Sequence, residues 1–309
     1  MTNYSTWNIP NAPVTGHAWE IAEPHSAILI THALAEYAQR YYDKYNGLIS
    51  ALNKAGYNVY SYDLRGHGDS AGDISLVDSF VQVADHLAVR QAVKQRQPHL
   101  PLYLFAHSAG ALFTAGSVLE NQNDIAGIIL SSPMLQAGQD QVALVRHLLP
   151  LVSKLAPSLA IVPINSSGLS RLQDEIAAYN NDPRIYHGKV TLLTASTMLS
   201  LSQKLWPQHA AWQIPTLVFY GTQDQVSYME GLPQFIETIA SKDKTLHTFE
   251  GGYHELLNDQ DRDQVLSLIL DWLKTRQTNH DQKEQLDQIN KSRLERLERL
   301  RSQSLRRAI

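Results

Sequence analysis

From Ser26 onward, short apolar runs of strand length alternate with longer segments of helical spacing, and no other feature of the sequence restricts the fold as much. The runs are Ala27–Thr31, Val59–Asp63, Leu102–Ala106, Ile125–Ser131, Thr216–Tyr220 and Thr245–Phe249. Between them lie helical patterns at Arg40–Ala55, Asp78–Gln97, Ala109–Glu120, Met229–Ala240 and Arg262–Thr275. Strands that run parallel need a crossover long enough to return to the same edge, and a helix supplies it, so the alternation predicts a mainly parallel sheet flanked by helices. The residues before Ala27, with Pro10, Pro13 and Gly16, fit an antiparallel edge hairpin instead. From Met134 to about Gln213 the alternation stops: apolar residues keep helical spacing but no clear strand intervenes. The expected organisation is therefore a core over residues 1–133, a helical cap insertion over 134–213, the rest of the core over 214–277, and a charged extension over 278–309.

Composition narrows the function. With no cysteine, the chain can form no disulfide, zinc ribbon, iron–sulfur cluster or thiol nucleophile. The formal charge of −4 hides nine Lys and Arg against five Asp and Glu in residues 276–309, which leaves the body at −8 and argues against nucleic-acid binding. Met1 to Pro13 has neither a basic cluster nor an apolar stretch of signal-peptide length. The most apolar segment, Val142 to Ile164, carries Arg146, Lys154 and Pro150, Pro157 and Pro163, a poor pattern for a membrane span. A cytoplasmic protein, with or without peripheral contact to a membrane, is the expectation.

Ala106-His107-Ser108-Ala109-Gly110 joins a strand run directly to a helical pattern. A nucleophilic serine on so sharp a turn needs small residues two positions to either side, here Ala106 and Gly110. A serine hydroxyl attacks only if a base takes its proton, and in this chain order an acid and then a histidine should follow. His254 sits after the last strand run in Gly251-Gly252-Tyr253-His254-Glu255, and Asp224 just past the preceding run in Tyr220-Gly221-Thr222-Gln223-Asp224. Ser108 is thus the candidate nucleophile, His254 the base and Asp224 the residue that orients it. An aspartate after a glycine turn also serves often as a mere turn residue. His254-Glu255-Leu256-Leu257-Asn258 approaches the zinc motif HExxH, but Asn258 stands where the second ligand must be, so no metal and no cofactor is expected. For the oxyanion, the backbone N–H of Ala109 is one candidate donor and Leu34, in Thr31-His32-Ala33-Leu34-Ala35-Glu36, the other, with Ala33 its nearest competitor. Asp63-Leu64-Arg65-Gly66-His67-Gly68-Asp69-Ser70 lacks the Lys-Ser/Thr ending of a phosphate loop and reads as structural.

These residues resemble the monoacylglycerol lipase and lysophospholipase (serine aminopeptidase-like) branch of the α/β-hydrolases over about Ser26 to Thr275. His32 to Tyr37 with Arg40-Tyr41 is similar to that branch's HGxxEHxxRY loop, and Asp63 to Ser70 to its DxRGHGxS loop. Ser131-Ser132-Pro133, Ser167 to Arg171, Tyr179, Asp182-Pro183 and His254 to Asn258 match further landmarks. Ala33, Ala106 and Ala111 depart from the usual glycines, and Tyr37 from a histidine. The resemblance implies cofactor-free hydrolysis of a monoacylglycerol, lysophospholipid or similar single-acyl ester; a thioesterase, a small-peptide hydrolase and a hydrolase-fold protein that only binds are the alternatives.

Val142, Val145, Leu148, Leu149, Leu151, Val152 and Leu155 give the cap more apolar surface than a lid needs, suited to an acyl chain or to sealing the cap on the sheet. In the tail, Leu286, Ile289, Leu294, Leu297, Leu300 and Leu305 fall on one broad helical arc broken by Arg293 and Arg301. That pattern fits a solvated extension, a membrane-surface helix or a self-association helix.

Overall fold

The computed structural model describes residues 2–136 and 152–277. The helical arc expected in the tail, and Val142, Val145, Leu148, Leu149 and Leu151 of the cap, lie outside the described residues. Two compact units divide at Leu266/Ser267. Residues 262–277 are helical, and all the strands belong to the first unit.

Eight strands form one sheet in the order β1-β2-β4-β3-β5-β6-β9-β10: β1 (Asn3–Asn8), β2 (Thr15–Glu20), β4 (Tyr57–Tyr62), β3 (Ser26–Thr31), β5 (Leu102–His107), β6 (Gly127–Ser131), β9 (Thr216–Gly221) and β10 (Lys244–Phe249). β1 pairs antiparallel with β2 and β2 with β4, while every other pair is parallel. The edge hairpin and the parallel remainder are those the sequence predicts. β3 and β5 are buried along their whole length because helices cover both faces, and their sequences SAILIT and LYLFAH are correspondingly apolar. Leu29, Leu104, Ala106, Ile128, Leu130 and Val218 share one face with Val83, Val89 and Val93 of α3 (Ser79–Arg96) and Leu112 and Ala115 of α4 (Ala109–Glu120). Each large side chain buried this way contributes about 1.5–3 kcal/mol. Helix α3 starts where it does because the Asp78 carboxylate accepts the Phe80 N–H at 2.9 Å.

Two sequence expectations need correction. The helix expected over Arg40–Ala55 is broken into α1 (Arg40–Asp43) and α2 (Leu48–Lys54) by a turn in which Tyr45, Asn46 and Gly47 take φ of 52°, 53° and 62°. Helical periodicity ran through a left-handed turn that Asn46-Gly47 announces. The break turns Tyr45 inward, where its N–H donates to Asn258 Oδ1 at 2.6 Å. The cap, expected without strands, holds a two-stranded antiparallel sheet of β7 (Ala160–Pro163) and β8 (Lys189–Thr191). Both are short and β7 is wholly exposed and contains a proline, so neither shows the alternation by which strands are read. The rest of the described cap is helical at Gln173–Asn181 and Leu192–Leu205.

At the carboxyl edge of the sheet the loops after β9 and β10 touch backbone to backbone. A Cβ on Gly221 would lie 2.6 Å from Tyr253 O and nearer still to Gly252 O. Gly221→Ala should therefore cost about 1–3 kcal/mol, the range for overpacking a close contact. A denaturant titration of the variant checks it, and wild-type stability would contradict the contact.

Candidate active site

Ser108 follows β5 without an intervening residue and takes φ 54° and ψ −122°, a conformation that exposes its side chain at the strand-to-helix turn. The turn is held by Ser108 N–H donating to Ser131 O at 3.1 Å and by Met134 N–H donating to Ser108 O at 3.1 Å. A Cβ at Gly110 would come within 2.7 Å of Thr31 O and closer to His32 O, so this position admits glycine alone. Ala106 and Ala111, which replace the usual glycines, are fully buried: their methyls find room in the core.

Across the sheet edge, Ser108 Oγ donates to His254 Nε2 at 2.9 Å and His254 Nδ1 donates to Asp224 Oδ2 at 2.7 Å. Asp224 Oδ1 accepts the N–H groups of Val226 at 2.8 Å and Ser227 at 3.1 Å. Burial opposes the Asp224 charge, but His254 and these N–H groups outweigh it and hold the carboxyl below its ordinary value. The three residues named from sequence are thus brought into one hydrogen-bonded chain. Such a chain can take the serine proton during attack and stabilise the imidazolium that results.

The backbone N–H groups around the oxyanion candidates differ in their partners. Ala33 N–H donates to Glu36 Oε1 at 2.8 Å and Ala35 N–H to His67 Nε2 at 3.0 Å. Among the described residues Leu34 N–H has no protein acceptor, and Ala109, first residue of α4, has no intrahelical one. Both residues line the same cavity as Ser108.

Side chains that sequence reasoning left without a role fix this loop. Glu36 Oε1 also accepts from Tyr41 Oη at 2.8 Å, and its Oε2 accepts from Arg40 Nη1 at 2.7 Å and Tyr45 Oη at 2.9 Å. Arg40 in turn donates from Nη1 and Nη2 to Glu255 Oε1 and Oε2 at 2.9 and 3.0 Å. Burial opposes the Glu36 charge, yet Arg40 foremost pulls its carboxyl down to about 2. Glu255, next to His254, was visible only as the second residue of the rejected zinc pattern.

The Asp63 to Ser70 loop is structural, as read. Asp63 Oδ1 accepts Ala38 N–H at 2.8 Å; Oδ2 accepts from His17 Nε2 at 3.0 Å and Asp69 N–H at 2.8 Å. His17, Asp63 and Asp69 could offer ligand atoms to an ion, but both Asp63 oxygens already serve these donors. His32 Nε2 accepts Leu64 N–H at 2.9 Å and His67 Nε2 accepts Ala35 N–H at 3.0 Å, so each ring carries its proton on Nδ1. Burial drives His67 down to about 3, and burial with the neighbouring His254 drives His107 down to about 4.

Tyr37, where the resembled branch has histidine, donates from Oη to Asp182 Oδ2 at 2.7 Å, and Arg184 stacks 4.0 Å above its ring. Tyr186 N–H donates to Ala35 O at 2.9 Å. On the other side of the cavity Glu255 N–H donates to Leu169 O at 2.7 Å, and Arg171 Nε donates to Asp259 Oδ2 at 2.8 Å. The cap segments 168–171 and 182–186 therefore hold both loops.

A parallel sheet with an antiparallel edge, a helical cap and a Ser–His–Asp chain at the carboxyl ends of its strands define an α/β-hydrolase. Residues 22–261 match the family described as "Serine aminopeptidase, S33", and the chain belongs to it. It is 27% identical over 252 residues to the monoacylglycerol lipase of Mycolicibacterium smegmatis, covering 81% of this chain and 89% of that one. It is 31% identical to phospholipase YtpA of Bacillus subtilis, covering 80% of this chain and 94% of that one. The crystal structure of Paleococcus ferrophilus monoacylglycerol lipase superposes with a TM-score of 0.74 at 24% identity, covering 85% of this chain and 99% of that one.

Removing Arg40 would strand Glu36 and Glu255 as buried, unpaired charges. Arg40→Ala should cost about 3–5 kcal/mol, read by denaturant unfolding, and a loss below about 1 kcal/mol would contradict the pairing. The buried histidines set an acid limit. Unfolded, His67 and His107 protonate near pH 6.5, whereas folded they stay neutral to about 3 and 4. The unfolded chain binds more protons in between, so stability is full above pH 6.5 and falls as pH drops towards 4. Glu36 adds a further loss only below about pH 4, as its unfolded form protonates first. Unfolding free energies measured from about pH 7 to about pH 4.5 should decline, and His67→Asn should flatten the slope.

Proposed function

We propose that the chain is a serine carboxylic-ester hydrolase acting on monoacylglycerol, lysophospholipid or a similar single-acyl ester. Ser108 is the nucleophile, His254 the base, Asp224 its orienting carboxylate, and Leu34 and Ala109 the backbone donors of the oxyanion hole. The observation that carries this reading is the hydrogen-bonded Ser108–His254–Asp224 chain opening on a cavity of about 360 Å³, within the ~300–1,000 Å³ of small-molecule sites. Met134, Met198, Val162, Ile164 and Val190 give the cavity an apolar wall suited to an acyl chain. Glu36, His107, Tyr179 and Glu255 supply its polar groups. The assigned cap is residues 134–213.

In the acylation step Ser108 Oγ attacks the ester carbonyl as its proton passes to His254 Nε2. The carbonyl oxygen gains negative charge facing the Leu34 and Ala109 N–H groups. Collapse expels the alcohol, which takes the proton from His254. Water, deprotonated by the same imidazole, then attacks the acyl-serine and releases the carboxylic acid. A thioester would follow the same steps. Against a peptide bearing a free α-amino group stands the engagement of both cavity carboxylates: each Glu36 oxygen accepts two donors, and Glu255 is taken by Arg40 and by Asn258 Nδ2 at 2.7 Å. A protein that only binds has no use for the Ser108 conformation, which serine adopts at a cost of about 1–3 kcal/mol.

Peripheral contact with a lipid surface belongs to the same reading. Leu155, Leu159 and Val162 of the cap are 83%, 53% and 53% exposed, and Val162 also lines the cavity. Among the described residues no helix is long and apolar enough to cross a membrane. For residues 278–309 the proposed roles are contact with the same lipid surface and self-association.

Ser108→Ala should lower hydrolysis of p-nitrophenyl esters and monoacylglycerols by about 10³- to 10⁶-fold. Equal rates for the two proteins would sink the nucleophile assignment. A preference for peptides or thioesters over every oxygen ester would sink the substrate class. Cosedimentation with lipid vesicles should weaken in Leu155→Asp/Leu159→Asp; binding equal to wild type removes the cap from the contact. Deleting residues 278–309 should change vesicle binding or oligomer size, and no change in either excludes the tail from both roles.

A further inference from the structure

Ser132 combines two features that conflict unless its hydroxyl has work to do. It is fully buried with φ of 42°, in the left-handed region that glycine enters freely and other residues enter at a cost. Its Oγ donates to the backbone carbonyl of His254 at 2.7 Å, a contact between positions 122 residues apart. Among the described residues no other donor reaches that carbonyl. The N–H of His254 makes a longer bond, 3.4 Å to Gly168 O.

The turn around Ser132 also holds the nucleophile. Ser131 O accepts the Ser108 N–H and Met134 N–H donates to Ser108 O, both at 3.1 Å, while Ser132 N–H donates to Phe219 O at 2.8 Å. Ser131, Ser132 and Met134 therefore fix the backbones of the serine and the histidine against the same sheet edge. Ser132 is not among the residues that line the cavity, so it reaches substrate only through His254.

We propose that Ser132 is a positioning residue for the hydrolysis: its hydroxyl anchors the His254 backbone so that Nε2 stays at 2.9 Å from Ser108 Oγ. Glycine would relieve the backbone but leave the His254 carbonyl without its donor. The inference rests on Ser108 and His254 acting as nucleophile and base.

Ser132→Gly and Ser132→Ala separate positioning from stability. Glycine removes the hydroxyl and the left-handed cost together, whereas alanine removes the hydroxyl alone. If Ser132 positions the base, both variants lose kcat for a p-nitrophenyl ester by roughly 10- to 100-fold at unchanged KM, since a misplacement of about 1 Å costs up to about 10²-fold. Ser132→Gly keeps the wild-type Tm or exceeds it, so its loss of kcat is not a loss of folded protein. A glycine variant with kcat within about twofold of wild type overturns the proposal, as does a loss expressed only in KM. Ser108→Ala is run alongside: if it stays active, the triad reading itself fails; if it is dead while Ser132→Gly turns over normally, only the positioning role does.

Discussion

One guanidinium holds the two halves of the site in register. Arg40 spans from Glu36, whose other oxygen fixes the Ala33 N–H, to Glu255, the neighbour of His254. Glu36 and Glu255 lie far apart in the chain, so the cluster joins the loop after β3 to the loop that carries His254 directly rather than through the sheet. Taking three charges out of water costs several kcal/mol per ion, and their mutual attraction returns that only with every donor and acceptor satisfied. Here Tyr41, Tyr45, Asn258 and a backbone N–H complete the set. The result is a rigid link in the one place where loops could otherwise drift, with the left-handed break at Tyr45 as the backbone cost of bringing its hydroxyl inward.

Much of this was legible in the sequence because it depends on local pattern. The buried strands are apolar along their whole length, the elbow is marked by small residues around Ser108, and the acid and base each follow a strand run by a few residues. What could not be read is contact between distant segments. Nothing around Glu255 says that it faces Arg40, and Tyr45 sits in a stretch whose spacing is helical on both sides. Strands β7 and β8 escaped for a different reason: they are held by each other on an exposed surface, so burial imposed no alternation on them. The sequence named Leu34 with Ala33 as its competitor, but not that Glu36 and His67 accept the N–H groups on either side of Leu34.

The neutral, buried histidines belong to the same economy of donors and acceptors. His32 and His67 each accept a backbone N–H on Nε2 and donate from Nδ1 to a carbonyl, Ala33 O at 2.7 Å and Arg65 O at 3.2 Å. A single ring thus satisfies two buried backbone groups of opposite sense, which a carboxylate or a lysine could not do. This is why the loops after β3 and β4 each carry a buried histidine that serves the backbone.

The bond from Tyr37 to Asp182, with Arg184 stacked on the same ring, joins cap and core at a position where the resembled branch has histidine. Position 37 lies in the loop that carries Leu34, and positions 182 and 184 lie in the insertion. Asp182 belongs to a landmark shared with the resembled branch, whereas Tyr37 stands where that branch has histidine, so a cap fitted to a histidine would meet a different donor here. The insertion is therefore not an interchangeable module, and residues 37, 182 and 184 form a matched set that has to be exchanged together when such enzymes are recombined.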